Sequence, residues 1–208
     1  MKRFTTSDIK KMEKVRRLNL INSVSGYKAA NLIGSRGSQG ENLAIFSSVV
    51  HLGANPPLQG LVMRPARVER HSLSNIKESG YYTINHINEK LVERAHFTSA
   101  NFPAEVSEFE ACQIEAEYLG DFTAPFVKES KVKMGMKLVE IHHIKANDTL
   151  FIVGEIEQLL IEEGCMEENG QLNLNANATV CISGLNRYHQ VEEIAKLPYA
   201  RVKELPDF

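Results

Sequence analysis

The sequence predicts a mainly β fold: a closed or nearly closed antiparallel barrel with short helices inserted. Six or more short runs rich in β-branched and aromatic residues are spread along the chain. Glycine, proline and asparagine punctuate them, the residues that favour turns over continued ladders. The two longest runs, Lys133–Ile144 and Leu150–Ile161, are joined by Lys145-Ala146-Asn147-Asp148, turn chemistry that predicts one long antiparallel hairpin. No internal repeat, low-complexity stretch or linker divides the 208 residues, so one domain is expected, with its barrel over about residues 27–190.

Ser7 is placed to cap an N-terminal helix over about Asp8–Ile21, within residues 8–22, and Gly26 ends that unit. Ala29–Gly34 and Leu43–Val50 read as strands around Ser35–Gly40, a hairpin-like connection. Pro56-Pro57 breaks the ladder because proline has no N–H to donate, and Leu58–Met63 is the next strand. Ser72–Ser79 reads as a short helix closed by Gly80, and Tyr81–Asn85 as a strand. Asn88 caps a second helix to about Phe97, a polar loop spans Thr98–Glu108, and Glu108–Glu115 forms a helical turn. A last strand, Thr179–Ile182, precedes Gly184 and a tail over residues 191–208.

Hydrophobic content of 43% and charged content of 24% belong to a soluble globular protein, and a net charge of -2 argues against a nucleic-acid binder. No run approaches bilayer-spanning length and no apolar signal core follows Met1, so a cytoplasmic protein with no membrane partner is expected. Cys112, Cys165 and Cys181 are too scattered for a disulfide framework or zinc motif and read as small buried hydrophobes. No metal is expected: His142 and His143 are adjacent in a strand and face opposite ways, while His86 and His96 lack ligand spacing and default to surface or helix positions.

The segment Asn42–Pro57 carries the functional signal, because Ser47 and Ser48 place adjacent hydroxyls inside an otherwise apolar strand. Such hydroxyls either bond within the sheet or face a ligand. Downstream, Arg64, Arg70, His71, Ser72 and Asn75 gather charge, donors and a helix start, the materials of an anion site. Ser72 as a plain N-cap, with Arg70 solvated, is the alternative. Neither standard glycine-rich phosphate loop is present, which disfavours Rossmann or P-loop nucleotide binding.

Gly40-Glu41-Asn42-Leu43-Ala44-Ile45-Phe46-Ser47-Ser48, then Asn55-Pro56-Pro57-Leu58, then Ser72–Gly80 running into Tyr81-Tyr82-Thr83-Ile84-Asn85, resemble the flavin reductase-like, FMN-binding split-barrel family. Ser107-Glu108-Phe109-Glu110 and Leu150–Ile156 resemble that family's acidic-Phe turn and a later strand, and the likeness spans about residues 30–190. It implies a Greek-key antiparallel split β-barrel, a homodimer, and FMN near the dimer interface. By position it puts Asn42, Ser47 and Ser48 along the flavin and the backbone at Val49, Val50 and His51 against the ring. It gives Arg64, Arg70, His71, Ser72 and Asn75 to the phosphate and ribityl chain.

The chemistry implied is hydride transfer from NADH or NADPH to flavin, with no side chain needed as nucleophile or base; the acceptor or partner oxygenase is open. Alternatives are an FMN electron carrier and a non-enzymatic ligand-binding barrel. Phe102, in a candidate lid, either stacks over the ring system or anchors its loop to the core, and His189 is placed to reach a neighbouring subunit's flavin. Two departures stand out. Gly26-Tyr27-Lys28-Ala29-Ala30 replaces the family's Pro-Arg-Pro-like turn, with Lys28 as a substitute contact, and His51 replaces a small or hydroxyl residue.

Overall fold

A computed structural model describes residues 1–65, 71–103 and 105–206. In chain order the elements are α1 (Thr6–Lys11), α2 (Lys14–Ser23), β1 (Lys28–Ala29), β2 (Asn31–Gly37), β3 (Gly40–Phe46), β4 (Val49–Ala54) and β5 (Pro57–Met63). There follow α3 (His71–Ser79), β6 (Tyr81–His86), a 3-10 turn at Glu89–Leu91, α4 (Val92–Phe97), α5 (Glu108–Ala111), β7 (Ala116–Glu117) and β8 (Phe126–Val127). The chain closes with β9 (Val132–Ile144), β10 (Thr149–Ile161), β11 (Cys181–Ser183), β12 (Arg187–His189) and a 3-10 turn at Val202–Glu204.

Seven strands form the main antiparallel sheet in the order β3-β2-β6-β9-β10-β5-β4. Its two edges, β3 and β4, are neighbours in the chain, so the sheet curls until Ser47-Ser48 alone separates them. This is a split barrel. The expected long hairpin is present, with Ile144 opposite Thr149 and two bulges that bend it into the curl.

Adjacent strand residues face opposite sides, and β2 uses both. Ile33 joins Ile84, Met136, Leu61 and Tyr82 in one cluster, into which α3 inserts Leu73 and Ile76. Leu32 joins Leu43, Ile87, Leu91 and Phe109 in a second cluster, on which Phe102 also packs. Fully burying one such side chain is worth about 1.5–3 kcal/mol, so β2 is stabilised from both faces.

Four expectations need correction. The N-terminal helix is two helices, because Thr5, not Ser7, forms a capping box with Asp8, and the Glu13 carboxylate then accepts from the N–H groups of Val15 and Arg16, both at 2.9 Å. A second N-terminus therefore starts one residue after Met12 leaves helical geometry. The run Leu43–Val50 is not one strand but the end of β3, a corner and the start of β4. The hairpin loop is tighter than Ser35–Gly40, with only Ser38-Gln39 between Gly37 and a left-handed Gly40 (φ +122°). The C-terminal strand was expected at Thr179–Ile182; it starts at Cys181 and pairs with β12, too short to leave a period in the sequence.

Candidate functional site

The corner between the two sheet edges is held by β5, the ladder neighbour of β4. The Ser48 hydroxyl donates to the Val62 carbonyl at 2.7 Å, and the Val62 N–H donates to the Ser48 carbonyl at 3.3 Å. Ser48 thus uses its hydroxyl within the sheet, while Ser47 sits half-buried beside it. The chain then enters β4, whose Val49 packs on the barrel cluster while Val50 and His51 are exposed.

Farther up β3 lies a buried polar cluster. Ser72 donates its hydroxyl hydrogen to Asn42 Oδ1. Asn42 Nδ2 donates to Glu108 Oε2 at 2.8 Å, and the same oxygen accepts the Leu43 N–H at 3.0 Å. Asn75 Nδ2 points to the Ser35 hydroxyl at 3.4 Å and the Gly40 carbonyl at 3.3 Å. Buried polar groups need partners, and these satisfy one another while fixing α3 and α5 against the β2–β3 hairpin. Ser72 is therefore not a plain N-cap: α3 already begins at His71, and the hydroxyl bonds to another strand.

Asn42, His71, Ser74 and Asn75 line a hollow of about 60 Å³ with the β2–β3 turn and Glu78. Arg64 is exposed just beyond β5, and Arg70 lies outside the described residues. Phe102 is half-buried against the cluster of Leu32 and Phe109, the placement of a loop anchor. His189 lies on β12, its Nε2 2.8 Å from the Ser183 hydroxyl and its ring edge-on to Tyr27 at 4.9 Å. The Lys28 ammonium donates to the carbonyls of Asn22 at 3.0 Å and Gly184 at 3.3 Å, so it ties α2 to the β11–β12 turn.

Sequence reasoning missed two features. Glu108 is the central acceptor of the buried cluster; the acidic-Phe turn Ser107–Glu110 was its only local signal, and nothing in it marks which glutamate turns inward. His86 is not on the surface or a helix but ends β6, where burial pushes its imidazole down to about 4. Among the described residues no group of three potential ligands could hold a metal ion, and no helix is long and apolar enough to cross a membrane.

The flavin reductase like domain description matches residues 28–184. Among solved structures, a split barrel domain protein of flavin reductase type from Shewanella frigidimarina NCIMB 400 is 47% identical, with a TM-score of 0.92 over 96% of this chain and 100% of that one. The 2-nitrobenzoate 2-nitroreductase NbaA of Pseudomonas fluorescens shares the fold at 20% identity, TM-score 0.83, over 99% of each chain. An FMN-binding protein from Thermus thermophilus does so at 19% identity, TM-score 0.68, over 83% of this chain and 91% of that one. From barrel, corner and matched span together, the chain belongs to the flavin reductase-like family of split-barrel flavoproteins.

Proposed function

We propose that the protein binds FMN along β3 and works as an NAD(P)H-dependent oxidoreductase of the flavin reductase type. The observation that carries this is the layout of β3: the hollow beside Asn42 and the corner at Ser47, just past the end of the strand, lie five residues apart. At strand rise that is about 17 Å, a span suited to a mononucleotide with its phosphate at one end and its ring at the other. The donor set fits such a molecule. The N-terminus of the nine-residue α3, with His71 and Ser74 at its first turn, favours an anion, and Arg64 adds charge nearby in sequence.

Once bound, FMN supplies the hydride chemistry. The residues of the chain orient and shield it. The Ser48–Val62 bonds hold the corner rigid, so Ser47 and the backbone from Val49 to His51 present fixed dipoles to a ring lying there. Asn42 and Ser72 act through each other, keeping α3 in register with β3 rather than spending their polar atoms on solvent. Exposed Val50 and Leu52 on the edge strand β4, together with helices α1 and α2 that bury no residue, support a homodimer in which a second copy covers them. The three free cysteines suit a reducing, cytoplasmic setting.

The purified protein's colour tests the reading. A yellow, FMN-containing dimer that bleaches with NADH or NADPH supports the reductase. Bleaching by dithionite alone points to an electron carrier, and colourless protein that FMN titration leaves unchanged removes flavin binding altogether.

A further inference from the structure

A second cavity opens at the other end of β2, away from the hollow beside α3. Its volume is about 250 Å³, and its walls are mainly apolar, from Tyr27, Ala30, Leu174, Val180 and Cys181. Lys28, Asn31, His86 and Thr179 are the polar side chains on its lining, and two of them, Asn31 and His86, stand together. They are direct partners across β2 and β6, so both project from the same face of the sheet with Cα atoms about 5 Å apart. Asn31 is 1% exposed, yet its Nδ2 has no hydrogen-bond partner among the described residues, and neither has His86 Nδ1. Leaving a buried donor or acceptor unpaired costs about 1–3 kcal/mol, and two such atoms together on one cavity wall mark a place built for a third party.

We propose that this cavity binds a small, uncharged, mostly apolar molecule bearing a carboxamide or a comparable paired acceptor and donor. The carbonyl oxygen of such a group accepts from Asn31 Nδ2. Its amine donates to His86 Nδ1 when the ring proton sits on Nε2. The apolar walls exclude a charged ligand, which would lose its hydration without an ionic partner: the one cation on the lining, Lys28, is already held by two backbone carbonyls. Burial keeps His86 neutral at physiological pH, which agrees with a neutral guest. The volume suits one substituted ring. Asn31 also stands directly opposite Phe46, the residue before Ser47, so the guest lies beside the corner; that it therefore lies beside a flavin ring rests on the function proposed above.

Cys181, on the same wall, is a built-in reporter. The protein as purified is alkylated with N-ethylmaleimide in the presence of benzamide or of its charged counterpart benzoate, and modification is read by mass spectrometry of the Cys181 peptide. Cys112 and Cys165 are buried and serve as internal controls. Benzamide at ten times its dissociation constant is expected to slow Cys181 alkylation about tenfold, benzoate not at all, and Asn31→Leu to lose the protection while melting as a folded protein. Equal protection by both compounds, no protection by either, or unchanged protection in Asn31→Leu overturns the site. So does a crystal of the dimer in which the partner subunit fills the cavity. Protection in protein that neither holds nor takes up FMN keeps the site and removes the flavin reading. FMN bound and bleached by NAD(P)H without benzamide protection removes the site and keeps that reading.

Discussion

The Ser72 hydroxyl, on α3, donates to the side-chain oxygen of Asn42, on β3, and through Asn42 the helix is tied to the Glu108 carboxylate. One buried oxygen of Glu108 thus serves a side-chain amide and a backbone N–H at once. Glu108→Ala is expected to destabilise the protein by roughly 2–4 kcal/mol, since it strands both buried donors. Glu108→Gln keeps an acceptor in place and should lose only about 1 kcal/mol. Urea midpoints of the two variants check the order; equal losses would mean that the hydrogen bonds are not what matters there.

Tyr82 presents the opposite case. Its ring is fully buried, its hydroxyl has no partner among the described residues, and desolvation drives the phenol well above its ordinary range. Removing an unpaired buried hydroxyl costs nothing in bonds. Tyr82→Phe is expected to leave stability unchanged or raise it by up to about 1 kcal/mol, read as a shift in melting temperature. A clear loss would reveal a hidden partner for the oxygen.

Gly34 is needed for closeness rather than flexibility. A Cβ built there would stand 2.2 Å from the Pro125 carbonyl oxygen and 2.6 Å from Thr83 Oγ1, and Thr83 itself donates to that carbonyl at 2.6 Å. Backbone cannot swing aside as a flexible side chain can. Gly34→Ala is expected to cost about 1–3 kcal/mol, whereas Gly40→Ala, with open space around it, pays only for its positive φ. Denaturant titration of both separates crowding from conformational strain.

His86 gives the protein an acid-sensitive element. Burial lowers its folded pKa from 6.5 to about 4, so below about pH 6.5 the unfolded chain binds a proton that the folded chain refuses. Stability from this group is complete above 6.5, drains away as pH falls toward 4, and is then constant. The full effect is roughly 3 kcal/mol. Carboxylates titrate in the same range, so the measurement is the difference between wild type and His86→Gln. The urea midpoint of the wild type should fall more steeply between about pH 7 and pH 4.5, and parallel curves would refute a buried neutral imidazole.

What the sequence made legible follows the range of the interactions. The β9–β10 hairpin is readable because its period and its turn lie within one stretch of chain, and so are the helix around Ser72–Ser79 and the Asn88 cap, whose side chain accepts from the Lys90 N–H. Ser47 and Ser48 could be picked out but not interpreted. The run is apolar on either side of the two serines, and only the bonds from Ser48 to Val62 reveal a corner where the sequence predicts a continuous strand. The partnership of Asn42 with Glu108 bridges two segments far apart in the chain, and no local pattern encodes it. Asn31 and His86 likewise became a pair only through the β2–β6 register.

The seam at Ser47-Ser48 also has a bearing on solubility. The main sheet ends in two unpaired edges, and the corner sets them side by side. A free edge is a template for strand addition by another chain, a route to aggregation. A ligand lying along β3, as proposed for FMN, covers one of these edges, so loading the site should protect the protein from clumping as well as equip it for chemistry. On that view a stripped preparation is expected to scatter light on standing long before a loaded one does.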